Sequence, residues 1–195
     1  MKRKKKKLKG LNEAITVTVR VGEADDPLGE DVRWKLEKEV DLILDQFGKW
    51  LAALIRPVPG ASQSKTVQLQ DITNATRTLN IYATSNTFNY GGLSGNYVGV
   101  GSSNQTPVRS DYNLISQLGS LAVVTDGVWT SATGKITFSG SVYLSAGGTV
   151  REVGFFAYYF DSGAAYRTFM LFRDVISDVV IGAGKYAFVQ YTINL

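Results

Sequence analysis

The chain has 195 residues, with 21 Lys+Arg against 17 Asp+Glu, no Cys and no His. The missing residue types exclude disulfides, Cys-based metal centres, thiol nucleophiles and a Ser-His-Asp triad. One domain is the default at this length, and no apolar run reaches the ~18 residues of a membrane span.

The formal charge of +4 hides a strong asymmetry. Seven of the 21 cations lie within residues 2–9, namely Lys2, Arg3, Lys4, Lys5, Lys6, Lys7 and Lys9. Residues 10–56 hold 6 basic and 10 acidic residues, and residues 57–195 hold 8 and 7. The sequence therefore predicts a disordered basic arm over 1–11 ahead of a single domain over 12–195. The arm reads either as a solubilising tail or as a contact to an anion, nucleic acid or an acidic protein surface. Gly10-Leu11-Asn12-Glu13 follows it where a secretion signal would place an apolar stretch.

Residues 13–21 alternate, with Ile15, Val17, Val19 and Val21 opposite Thr16, Thr18 and Arg20. β-Branched residues at period two predict a half-buried strand. A turn follows over 22–29. Residues 30–56 then predict one long amphipathic helix. Val32, Leu36, Val40, Ile43, Phe47, Trp50 and Leu54 form its apolar stripe, at spacings of three and four. Acids stand near its start, Arg56 at its end, and Pro57 and Pro59 stop it. The stripe fits two settings: cover for the chain's own sheet, or a seam with copies of itself at a symmetry axis.

Everything beyond residue 60 reads as β. Fifteen of the 20 glycines and all ten tyrosines lie in that part. Alternating runs at 66–72, 76–84, 121–128, 135–144, 149–160, 166–173 and 185–195 are separated by Gly, Asn, Asp and Ser. This pattern predicts an antiparallel β-sandwich, jelly-roll-like. Residues 85–107, poor in charge and rich in Gly, Asn and Ser, read as a long loop. Phe156, Tyr158 and Phe160 sit in a run of five aromatics, which must be either buried on both faces or sticky on one.

Chemistry-bearing patterns are few. The glycines from 91 to 101 lack the Lys-Ser/Thr pair of a phosphate loop, so turns and bulges explain them. Asp111, Glu152, Asp161, Asp174 and Asp178 are acids of the β region from which a glycosidase pair could be drawn. Salt bridging is the plainer role for Glu152, and in a strand it points away from its neighbour Arg151. Asp25-Asp26 or Asp174 with Asp178 lack the spacing of a calcium loop. Asn74 and Asn104 head glycosylation triplets. No enzyme activity, metal or cofactor is expected.

Three stretches resemble, in order, motifs of phage and archaeal-virus virion structural proteins of the tail-fibre type. Residues 97–118, YVGVGSSNQTPVRSDYNLISQL, are similar to a "hydrophobic-G-hydrophobic-G-S/T … P … DY-x-L" segment. Residues 149–156, TVREVGFF, are similar to a "T-hydrophobic-x-E-hydrophobic-G-hydrophobic-F" strand. Residues 171–195 resemble the closing element that begins with Arg173. Residues 41–56 also resemble a helix that precedes this region in some members. The resemblance implies a virion component, assembled in many copies at a tail, vertex or turret, with no catalytic residues. Its implied partners are itself, other virion proteins and, through the basic arm, the packaged genome. A nucleic-acid-binding protein acting through the arm, or a carbohydrate- or receptor-binding tip, are the alternatives. The candidate subunit contacts are Leu36, Val40, Ile43, Phe47, Trp50, Leu54, Phe156, Tyr158 and Phe160.

Overall fold

A computed structural model describes residues 16–39, 44–49, 64–82, 95–130, 134–163 and 165–194. The basic arm and the contact candidates Val40, Ile43, Trp50 and Leu54 lie outside the described residues. The chain is mainly β, and every paired strand is antiparallel.

A five-stranded sheet has the order β2 (Arg33–Glu39), β1 (Thr16–Ala24), β11 (Lys185–Asn194), β8 (Lys135–Leu144), β7 (Thr125–Thr130). A four-stranded sheet has the order β10 (Tyr166–Ile181), β9 (Gly148–Phe160), β5 (Gly95–Gly101), β6 (Gln117–Val123). A separate hairpin pairs β3 (Ser64–Gln70) with β4 (Thr76–Tyr82).

Alternation sets the inward faces. Val17, Val19 and Val21 of β1 join Ala187, Val189, Tyr191 and Ile193 of β11 in one buried cluster. The same cluster takes in Val142 and Leu144 of β8. From the four-stranded sheet come Val98 and Val100 of β5, and Val153, Phe155, Ala157 and Tyr159 of β9. Val67, Leu69 and Leu79 of the separate hairpin complete it. Each fully buried Val, Leu, Ile or Phe among them contributes about 1.5–3 kcal/mol of hydrophobic stabilisation before chain entropy is counted.

The expected helix over 30–56 is overturned. Residues 33–39 are β2, an edge strand paired with β1, and the described helical residues are one turn at 45–49. The spacing of four from Val32 to Leu36 belongs equally to a helix face and to one face of a strand. The open edge of β1 decides between them by offering ladder partners, which override the helix preference of Lys, Glu and Leu. A bulge at Val21/Gly22 then splits the strand. Leu36 packs against the central cluster, whereas Trp34 lies beyond the bulge with the Arg20 guanidinium 4.0 Å from its ring centre.

Residues 85–107 are not one long loop either. Residues 95–101 form β5, hydrogen-bonded between β9 and β6. Its glycines reflect close packing, since a Cβ on Gly99 would meet Leu121 Cδ2 at 2.6 Å and one on Gly101 would meet Glu152 Oε1 at 2.4 Å. The expected run over 121–128 spans the end of β6 and the start of β7, which belong to different sheets.

Candidate functional site

The outward face of the four-stranded sheet carries a buried polar cluster. Glu152 in β9 and Arg173 in β10 are both fully buried there. Arg173 Nε donates to Glu152 Oε2 at 2.9 Å, and Nη1 donates to Asp111 Oδ2 at 2.8 Å. Arg173 Nη2 also donates to the Gln105 carbonyl at 3.1 Å. Glu152 accepts the backbone N–H groups of Ser116 at 2.8 Å and Ile115 at 3.2 Å. Asp111 accepts the Val108 N–H at 2.9 Å. One guanidinium thus holds two carboxylates and a carbonyl, and the segment over 102–116 is tied down at both ends and in the middle. A backbone bond from Ser102 N to Ser116 O, 2.8 Å, closes the loop.

Local geometry explains how Arg173 reaches Glu152. β10 carries a bulge between Met170 and Phe172, so Leu171 is an extra residue against β9. Before the bulge Met170 shares the outward face with Phe156, and after it Phe172 faces the core beside Phe155. One inserted residue exchanges the two faces of every position that follows. It turns Arg173 outward toward Glu152 and Asp174 inward. Beneath the loop, Leu114, Phe156, Met170 and Leu44 form a second apolar cluster. Gly154 leaves the space, as a Cβ there would meet Phe156 Cε2 at 2.8 Å and Leu114 Cδ2 at 3.1 Å.

Inward-facing Asp174, also buried, accepts a hydrogen bond from Lys38 Nζ at 3.2 Å. Tyr191 lies in the same core, and burial, with the Asp174 charge added, pushes its hydroxyl well above the ordinary tyrosine range. Arg151 pairs with Asp178 at 3.0 Å and also donates to the Ser102 carbonyl at 3.5 Å. Asp25 engages Arg33 and Lys185. Among the described residues, no group of three or more acids could hold a metal ion.

Two hairpins reverse by one shared device. Asp71 Oδ1 accepts the N–H groups of Thr73 at 2.9 Å and Ala75 at 3.1 Å, and its Oδ2 accepts Arg77 Nε at 2.7 Å. Asp161 Oδ1 accepts Gly163 N at 2.9 Å and Ala165 N at 3.0 Å, and its Oδ2 accepts Arg167 Nε at 2.9 Å. In both, the Asp N–H bonds the carbonyl of the alanine four residues on. Burial pushes the Asp71 carboxyl up, but the Thr73 hydroxyl, Arg77 and the backbone N–H groups outweigh it and bring it down to about 2. The hydrogen bond from Arg167 is the main reason that Asp161 lies below the usual carboxylate range. The motif is Asp, then Ala four residues on and Arg six residues on, and Asp71 was missed as a candidate although its repeat at Asp161 is visible in the sequence.

The expected contact residues fall in different places. Phe47 is buried against Phe172, ring centres 4.8 Å apart, and Phe156 is buried in the second cluster, so the chain's own packing takes up both. Leu36 is half-buried against the main cluster. Tyr158 stands half-exposed, stacked at 5.0 Å on the exposed Tyr166 and edge-on at 5.6 Å to Tyr97. Phe160 lies in β9 opposite Tyr166 in the ladder. Asn74, at positive φ, and Asn104 are both exposed. Among the described residues no helix is long and apolar enough to cross a membrane. No family model matches this chain, and no curated protein or solved structure matches it.

Proposed function

We propose that this chain is a structural component of a virus particle, built as a jelly-roll-like β-sandwich and assembled in multiple copies at a tail, vertex or turret. One observation carries the reading. The three segments whose patterns resemble those of virion proteins lie far apart in the chain, and their polar residues meet in one knot. Asp111 comes from the "DY-x-L" segment, Glu152 from the "T-hydrophobic-x-E" strand and Arg173 from the closing element. The accompanying Leu114, Gly154 and Phe156 pack together beneath them. Motifs that build one structural unit support a common architecture better than three separate matches do.

The chemistry of the knot suits a scaffold. Both oxygens of Glu152 are engaged by Arg173 and two backbone N–H groups. The group therefore fixes a surface loop in one conformation. A fixed loop over a rigid sheet presents the same shape in every copy, which repeated assembly requires. Tyr97, Tyr158 and Tyr166 add an aromatic band on the same side of the sheet for subunit contact. The basic arm anchors the protein to an acidic neighbour or to packaged nucleic acid.

Gradient-purified particles from the source, analysed by mass spectrometry, test the reading. The chain is expected in stoichiometric, multi-copy amount. Its absence from the particles, together with a monomer at high concentration by light scattering, would overturn the proposal.

A further inference from the structure

The two Asp hairpins hold each other reciprocally. Ile72, one residue after Asp71, donates its N–H to the Thr168 carbonyl at 3.0 Å, and Thr168 is seven residues after Asp161. Ser162, one residue after Asp161, donates its N–H to the Thr78 carbonyl at 2.9 Å, and Thr78 is seven residues after Asp71. Each hairpin plays the same part toward the other, as two subunits do across a two-fold axis.

The β3–β4 hairpin pairs with neither large sheet. Besides the reciprocal bonds, Gln46 accepts the Gln70 N–H at 2.7 Å while donating to the Met170 carbonyl at 3.3 Å, and Asn113 donates to the Ile72 carbonyl at 3.3 Å. Val67, Leu69 and Leu79 supply its apolar hold on the core. Fourteen residues (50–63) join it to the helical turn at 45–49, and twelve (83–94) join it to β5. A chain of twelve residues has a maximum reach of ~40 Å.

We propose that the β3–β4 hairpin is an exchangeable arm, which docks on the β9–β10 hairpin of a second copy of this chain and remakes between copies the reciprocal bonds it makes within one. Every contact of the arm is the same in either arrangement, so exchange costs little and concentration selects the linked form. The inference deepens the assembly reading by naming the partner and the surface.

The absence of cysteine in the wild-type sequence makes the test clean. Single variants Thr78→Cys and Ser162→Cys are mixed at high concentration, oxidised and compared with each variant alone. Exchange predicts disulfide-linked heterodimer in roughly tenfold excess over either homodimer, because only the mixed pair brings the two positions together. Heterodimer no more abundant than the homodimers overturns the proposal. The pair Ile72→Cys and Thr168→Cys probes the other half of the clasp and must give the same answer, which guards against a variant that misfolds. A chain that exchanges hairpins but is missing from particles would sink the virion reading alone.

Discussion

Two ionic assemblies of this chain differ in kind. At the β1–β2–β11 end, Asp25 pairs with both Arg33 and Lys185, and Glu23 pairs with Lys35, in mostly exposed positions. On the outward face of the four-stranded sheet, Arg173 and Glu152 are fully buried, with Asp111 beside them. Water and salt screen the first group, and either partner is easily solvated when the other leaves. The second has no such refuge. Its value lies less in attraction than in the cost of breaking it, because removal of one partner leaves a charge stranded in the interior. The difference teaches that the knot dictates the conformation of residues 102–116, while the exposed pairs adjust to a conformation set by the strands.

The sharpest way to break this contrast is Arg173→Met, which strands Glu152. A loss of about 3–5 kcal/mol in urea unfolding is expected. The double variant E152L/R173M removes the stranded Glu152 charge and should recover part of that loss, the remainder being the cost of the Ile115 and Ser116 N–H groups and Asp111 left without their partners. A double variant no more stable than Arg173→Met would show that those lost hydrogen bonds, and not the stranded Glu152 charge, carry the cost. Next in size is Gly101→Ala, whose Cβ would fall 2.4 Å from Glu152 Oε1 and 2.6 Å from the Ser116 carbonyl. Overpacking of this kind costs about 1–3 kcal/mol by the same measurement, and it should also raise protease cutting within 102–116.

Asp71 gives a pH-dependent effect of intermediate size. Its carboxyl sits at about 2 in the folded chain, below its ordinary value of 3.8. A depressed folded value means that the contribution is complete above the unfolded value and is lost as pH falls from near 4 toward 2. The shift corresponds to about 2 kcal/mol. Asp71→Asn should therefore be less stable than wild type at pH 7, with the gap closing near pH 2. A gap constant with pH would refute the assignment. The smallest effect belongs to the exposed end, where Lys185→Ala should leave the unfolding midpoint nearly unchanged. Added salt should erase the residual difference, whereas the Arg173→Met deficit should persist in salt.

Legibility in the sequence follows how local each cause is. β11 was legible in full: Ala187, Val189, Tyr191 and Ile193 alternate and all face the core. The β1, β8 and β9 runs were readable for the same reason. β2 was not, because Val32 to Leu36 fits two periods and only the presence of β1 at its side chooses. β5 was hidden by glycines that looked like a loop and are instead places where Leu121, Phe156 and Glu152 press against the backbone. The knot was half-legible. Glu152 was recognisable as an ion-pair candidate that turns away from Arg151, and Asp111 was among the acids of the β region. Their common partner Arg173 lies 21 residues from Glu152 and 62 from Asp111, and no local pattern connects them.

By itself the sequence determined the absence of Cys and His chemistry, the uneven spread of charge along the chain, the predominance of antiparallel β structure, and which residues of the regular strands face inward. These follow from composition and period-two alternation, which are properties of neighbours in the chain. Tertiary structure alone decided that residues 33–39 are an edge strand, that an inserted Leu171 turns Arg173 toward Glu152, and that two distant Asp hairpins clasp each other. Each of these depends on a hydrogen-bond partner supplied by a remote segment, and such partners exist only once the chain has folded.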